Sequence, residues 1–291
     1  MIFLSFFGTI YTLKQINEAV FKESIQKQVE SALWQAQEAI DYRKRAALSI
    51  SLALSKSPMI KEAYISSNRE MIFEKSDEYI KQSHELGEID LQFHTKDLKA
   101  WARSWDEDSY GMELSSFRKG LVHVKQSKEP YVSIELGKRL NIKAISPIII
   151  KDEFLGSVEA IVGFESLEKS LKEKGIDFIV LLNRDHLEIA QWEKSKERAG
   201  EYVIVCQTTK GDESIRKFAK ESLFDDGFLE DGERVYGFLP LFNIDATPLG
   251  YFGVALKKNE VKHRQVRQDE PMLLSPDIVG LDEELEGIEI R

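Results

Sequence analysis

The sequence predicts an α+β protein in which a long N-terminal helix is followed by two small antiparallel-sheet units. Three observations carry this expectation. No Gly or Pro stands between Gly8 and Pro58, a stretch of 49 residues. Beyond Leu91, short β-type runs alternate with turns. Finally, ISPIIIKDEFLGSVEAIVGF, from Ile145 to Phe164, is echoed by FLPLFNIDATPLGYFGVAL, from Phe238 to Leu256. Both segments have a proline entering an apolar strand, an Asp-containing turn, then Leu-Gly and a second apolar strand. Pro147 and Pro240 are offset by 93 residues, and Gly156 and Gly250 by 94. Tandem copies of one α/β unit beside a long helix account for the shared order.

Each element follows from local pattern. Met1 to Leu13, MIFLSFFGTIYTL, is uncharged and apolar but shorter than the ~20 residues of a membrane-spanning helix. Residues 1–14 read either as part of a transmembrane or signal-anchor segment, with the rest outside the cytoplasm, or as a buried helical turn. Over residues 15–57, Ile16, Val20, Ile25, Val29, Leu33, Ala36 and Ile40 recur every three or four residues, one stripe of a helix ~70 Å long if unbroken. Such a rod is long enough to run beside two units. Ser57 and Pro58 supply an N-cap and a first-turn proline for a new helix, and another helical stretch runs from about Ser67 to Ser83.

The first unit spans residues 58–175. Strands are expected at Ile89 to Thr95, Ala100 to Trp105, Tyr131 to Gly137, Ile142 to Ile149 and Leu155 to Phe164, with a helix over Glu113 to Lys128. Alternation puts Trp101, Arg103 and Trp105 on one strand face. The second unit, residues 176–260, opens with Phe178 to Asp185 and Leu187 to Ala190. Residues 261–291 form an acidic tail: from Val266 onward, eight acids face Arg267 and Arg291. Its charge and two prolines suit a loosely docked segment.

Composition excludes several functions. The chain of 291 residues has 40 Lys plus Arg against 50 Asp plus Glu, a formal charge of -10, which opposes phosphate backbones and so nucleic acid. The single Cys206 cannot form an internal disulfide, and no Cys/His pair has zinc-ligand spacing. Phosphate-loop, nucleophile-elbow and HExxH motifs are missing, so no catalytic residue, metal site or cofactor is expected, and the protein is not read as an enzyme.

The stretch from Leu91 to Leu167 resembles the double Cache sensor domains of bacterial chemoreceptors and sensor kinases. The resemblance rests on Phe93 and His94, Arg103, Glu113 to Arg118, Glu135 and Gly137, and Pro147 to Glu159. It implies two PAS-like subdomains on a stalk helix, exposed to the periplasm, with a small-molecule pocket in the membrane-distal unit. It also implies an inner-membrane receptor in chemotaxis or two-component signal transduction. Such receptors carry a complete first transmembrane helix and a second one after the last strand. Here the first is partial, and the chain after Leu256 is charged.

Within that frame, Arg103 and Arg118 fit a ligand carboxylate, because a guanidinium fork matches it in a bidentate way. They fit an internal ion pair with Glu135 or Asp106 equally well. Trp101 and Trp105 suit either a pocket wall, closing on an amine by cation–π contact, or ordinary core packing. His94 could donate to a ligand oxygen or satisfy a buried carbonyl. Glu135 could take a ligand ammonium or an arginine, and Ser116 adds a hydroxyl at an expected helix start. Tyr110 and Asp108 lie in a loop that reads as a lid or as solvated chain.

The function expected is extracytoplasmic sensing of a small organic ligand, most plausibly a carboxylate, in the distal unit. A homodimer through the long helix and a membrane contact through the N-terminal segment complete the reading. The alternative is a structural or protein-interaction module that keeps the Cache fold without a ligand.

Overall fold

The computed structural model describes residues 2–82 and 88–258, with side chains from Lys14 onward. The tail expected at 261–291 lies outside the described residues, as do the apolar side chains of the first thirteen positions. Among the described residues, no helix is long and apolar enough to cross a membrane.

Helix α1 runs unbroken over Ile2–Lys56, and α2 (Pro58–Ser66) starts at Pro58 with Ser57 at the N-cap position. Helix α3 covers Arg69–Gln82. The buried stripe of α1 begins at Ile25 and passes through Val29, Ala32, Ala36, Ile40, Ala47 and Leu54. Ile16 and Val20, expected in the stripe, are 52% and 58% exposed. Among the described side chains, Phe21 is the first apolar residue of the helix packed on the core.

The first sheet contains β1 (Ile89–Thr95), β2 (Ala100–Arg103), β3 (Tyr131–Leu136), β4 (Leu140–Ile150) and β5 (Glu153–Val162), in the order β2-β1-β5-β4-β3. Helix α4 (Lys119–Ser127) precedes β3, and α5 (Glu165–Glu173) leads into the second unit. The second sheet has β6 (Asp177–Asn183), β7 (Arg198–Ala199), β8 (Tyr202–Gln207), β9 (Phe228–Asp231), β10 (Arg234–Phe242) and β11 (Pro248–Lys257). Its order is β7-β8-β6-β11-β10-β9, with α6 (Glu213–Glu221) between β8 and β9. Apart from the added β7, the two orders are the same, so the sequence echo is a repeat of topology.

Register makes the repeat residue-specific. Gly156 pairs with Ile148 and Thr95, and Gly250 pairs with Leu241 and Leu182. A methyl group on Gly156 would lie 2.0 Å from the His94 carbonyl oxygen, and one on Gly250 2.1 Å from that of Leu181. Both glycines are therefore required by close approach of the neighbouring strand. Gly156→Ala is expected to cost about 1–3 kcal/mol, as overpacking does, read as a lower urea midpoint. An unchanged midpoint would refute this.

Two local expectations change. Helix α4 begins at Lys119 rather than Glu113, because Glu113 is tied into a bridge with Lys99 at the sheet margin. Strand β2 ends at Arg103 and carries a bulge. Ala102 pairs with Phe93 and Ala100 with His94, which leaves Trp101 extra. The bulge separates Trp101 from Arg103: Trp101 packs with Ala102 and Phe93 on the α1 side, edge-on to Tyr64 at 4.4 Å.

Candidate functional site

The α1 side of the first sheet is apolar, with Leu91, Phe93, Ala144, Val158 and Ala160 buried in the core shared with the helix. Its other face is buried and polar, with Gln92, His94, Arg103, Lys143 and Glu159 all under 5% exposed. Buried polar side chains need partners or a ligand, so this face is where a site belongs.

A small cavity of about 70 Å³, partly open to solvent, lies on that face. Asp90 and Gln92 of β1, Arg103 of β2, Asn141 and Lys143 of β4 and Ile161 of β5 form its floor. Trp105, Met112, Leu114 and Phe117 cover it from the segment between β2 and α4. The β3–β4 turn, Gly137 to Arg139, and Trp192 of the second unit complete the wall.

Arg103 is 3% exposed, lines the cavity and makes no ion pair among the described residues. Its Nη1 donates to the Ser109 carbonyl at 3.0 Å and to the Ser109 hydroxyl, and its Nη2 lies 3.5 Å from Met112 Sδ. Burial lowers its pKa against the field of Asp106.

Arg118 also lines the cavity but is neutralised internally. Its guanidinium forks onto Glu159, and its Nε lies 3.6 Å from Glu135 Oε1. The same Glu135 oxygen accepts the Gly120 N–H at 2.9 Å, which ties the start of α4 to the pair. Of the two roles the sequence left open, Arg118 and Glu135 have the internal ion pair.

His94 is fully buried behind the cavity, with Nδ1 3.0 Å from the Ser157 hydroxyl and Nε2 3.7 Å from Glu159. Burial, then the charges of Arg118 and Arg103, push its pKa well below the usual histidine value, so the imidazole is neutral. Its carbonyl accepts from Tyr64 Oη at 2.9 Å.

Of the residues expected from sequence, Arg103, Arg118 and Trp105 therefore line the cavity. His94 and Glu135 stand behind it in the ion-pair network. Trp101 lies on the opposite face, and Ser116 is exposed in the turn before α4. Tyr110 is 62% exposed, with the Arg69 guanidinium 4.2 Å from its ring centroid.

Sequence reasoning passed over Lys143, Gln92, Asp90, Asn141 and Trp192. Lys143 is 3% exposed. Burial, then the charge of Arg118, lower its pKa to about 7. Trp192 holds the wall through its backbone N–H, which donates to the Lys138 carbonyl at 3.0 Å. Lys138 and Arg139 lie over its ring at 5.3 and 4.7 Å from the centroid.

The corresponding face of the second unit is filled. By register, Ile179 and Leu181 replace Gln92 and His94, Tyr236 replaces Lys143, and Gly253 replaces Glu159. Tyr236, Phe238, Phe218 and Phe224 pack there with α6. A methyl group on Gly253 would meet the Phe238 ring at 2.4 Å, so no side chain fits where Glu159 stands in the first unit.

The fold is a repeated α+β unit with a buried polar cavity in one copy. The chain belongs to the double Cache family described as the double sensory domain of two-component sensor kinases, whose model matches residues 22–260. No curated protein matches it. A solved domain of a sensory box/GGDEF family protein from Vibrio parahaemolyticus has the same fold, with a TM-score of 0.50 at 10% identity over 83% of this chain and 99% of that one. The ligand-binding domain of the Campylobacter jejuni chemoreceptor Tlp3 in complex with L-norvaline gives a TM-score of 0.49 at 14% identity, covering 88% and 96%. The sensor domain of the V. cholerae histidine kinase DctB gives 0.47 at 13%, covering 81% and 97%.

Proposed function

We propose that this chain is the extracytoplasmic sensing module of a bacterial signal-transduction receptor, and that it binds a small carboxylate-bearing molecule in the first unit, the membrane-distal one. One observation carries the reading. Arg103 is buried in the cavity, hydrogen-bonded to Ser109 and in no ion pair among the described residues, on a polar sheet face whose counterpart in the second unit is filled with aromatic side chains. A carboxylate entering beside Arg103 supplies the fork's missing acceptor. Trp105 and the segment through Phe117 then close over it.

Occupancy acts on whatever differs between the open and closed packings, since a ligand shifts an equilibrium only by its differential affinity. Helix α1 is the element placed to read that difference, because it packs on β4 and β5 of the first sheet and on β10 and β11 of the second. A second copy would meet α1 on its outer side, where Trp34 and Tyr42 are 65% and 56% exposed. The second unit fits the alternative role, a module that keeps the fold without a ligand.

The test is a thermal-shift series on the full chain with small mono- and dicarboxylates, with Arg103→Ala in parallel. A carboxylate at about 100 times its Kd stabilises by ~2.7 kcal/mol. That shift is expected in the parent chain and not in Arg103→Ala. The proposal is lost if no carboxylate raises the Tm, or if the mutant responds equally.

A further inference from the structure

At about 70 Å³ the cavity is smaller than the ~150 Å³ engineered cavity that takes up benzene. A molecule of more than a few heavy atoms is therefore enclosed there only if a wall gives, and the walls are not held alike. The cover between β2 and α4 is tied down along its length. Ser104 N–H donates to the Leu91 carbonyl and Leu91 N–H to the Ser104 hydroxyl, both at 2.9 Å. Gly111 N–H donates to the Ala100 carbonyl at 2.7 Å, and Ala100 N–H to the Met112 carbonyl at 2.9 Å. From α3, Arg69 adds a strap, donating to the carbonyls of Trp101 at 2.9 Å and Glu107 at 2.6 Å.

The Trp192 wall is held differently. Its backbone is fixed in the second unit, where Ala190 is fully buried and Glu193, 1% exposed, pairs with Lys196 at 2.9 Å. The same Lys196 Nζ donates to the Val205 carbonyl of β8 at 2.7 Å. The indole, by contrast, is 44% exposed, and its ring nitrogen makes no hydrogen bond among the described residues. What holds the ring against the β3–β4 turn is Lys138 and Arg139, and Arg139 is itself exposed. Cation–π contacts in reach of water are weak, whereas lifting the cover breaks several backbone hydrogen bonds at once. Trp105 also presents a ring to solvent, 37% exposed, but from within the tied cover.

We infer that Trp192 is the movable wall of the cavity and limits the size of the molecule that the first unit accepts. With the ring on Lys138 and Arg139 the cavity is small; with the ring swung into solvent, the space beside the turn joins it. The inference rests on the cavity being the ligand site, and adds what bounds that ligand. It gives the second unit a part in recognition although its own sheet face is filled, because the limiting side chain is carried there. A ligand that displaces the ring also takes it off the two cations, so occupancy changes the contact between the units at this point as well as at α1.

The experiment is thiol labelling of the full chain carrying Gln92→Cys, a position 4% exposed on the cavity floor, with methyl methanethiosulfonate as the small reagent and benzyl methanethiosulfonate as the bulky one. The native Cys206 is buried, and burial, then Glu168, push its thiol pKa well up, so its slow labelling reports loosening of the whole fold. Trp192→Ala should speed the bulky reagent at least about tenfold relative to the small one, the shift that two exposed cation–π contacts are worth, with Cys206 labelling unchanged. Lys138→Met combined with Arg139→Met keeps the ring but frees it. That variant should move the ratio the same way, and it carries the test if Trp192→Ala does not fold. An unchanged ratio, a rise produced by Trp105→Ala instead, or a rise accompanied by labelling of Cys206 would overturn the inference. These rates need no ligand, so the two readings fail separately: absent carboxylate shifts in Tm remove the ligand site, and unchanged labelling removes only the size limit.

Discussion

Arg118→Met is expected to destabilise the chain by about 3–5 kcal/mol, the cost of removing one member of a buried ion pair. The arginine is 3% exposed, and Glu159 and Glu135 are 0% and 1% exposed, so the substitution leaves two buried carboxylates without their hydrogen-bonded arginine, facing only the more distant Lys143. Burial alone would lower the arginine's pKa, yet the two carboxylates raise it, so the guanidinium stays charged and is the charge they depend on. Glu135 also accepts the Gly120 N–H, and its displacement would free the start of α4, which covers the polar face. For a chain of this size the loss corresponds to a fall in Tm of roughly 6–20 °C. Glu159→Gln combined with Arg118→Met should cost less than the two single changes added together, because the pair is the interacting unit. Urea unfolding of the four chains measures this directly. A single-mutant loss below about 1 kcal/mol would mean that the network is solvated and that Arg118 is not a structural anchor.

Much of the scaffold was legible before any coordinates. The Gly8 to Pro58 interval gave one helix because nothing in it breaks a helix, and the paired Pro and Leu-Gly positions gave the repeat because each marks a backbone requirement. Pro147 and Pro240 lie at equivalent positions in the later part of equivalent strands rather than at their entry, and Gly156 and Gly250 lie under a neighbour's carbonyl. The site was less legible. Arg103 and Arg118 look alike in sequence, and only the fold shows that Arg118 meets two carboxylates while Arg103 makes no ion pair among the described residues. The bulge at Trp101 reverses the alternation that would place it beside Arg103, and bulges leave little trace in a short strand. Lys143, Gln92 and Glu159 did carry a signal: each stands alone between apolar neighbours, in Ile142-Lys143-Ala144, Leu91-Gln92-Phe93 and Val158-Glu159-Ala160. The same alternation usually marks a solvated sheet face, and the segment through Phe117 that buries this one has no such pattern. Trp192 was out of reach because it comes from the other unit.

Lys143→Met should make the protein more stable, by about 2–4 kcal/mol at pH 7. The sign follows from linkage. The folded-state pKa of Lys143 is lowered from 10.5 to about 7, mainly by burial, so between those values the unfolded chain binds a proton that the folded chain has given up. Stability from this group is therefore fully present above about pH 10.5, is lost progressively as the pH falls, and is at its lowest below about pH 7. The slope is at most about 1.4 kcal/mol per pH unit. Methionine is nearly as long, carries no charge and adapts to irregular space, so the variant lacks that penalty without opening a cavity. Urea midpoints of the parent and of Lys143→Met from pH 7 to 10.5 should converge as the pH rises, and other titrating groups cancel in the difference. A variant less stable than its parent at pH 7, or a gap that does not close, would mean that the ammonium is matched in solution.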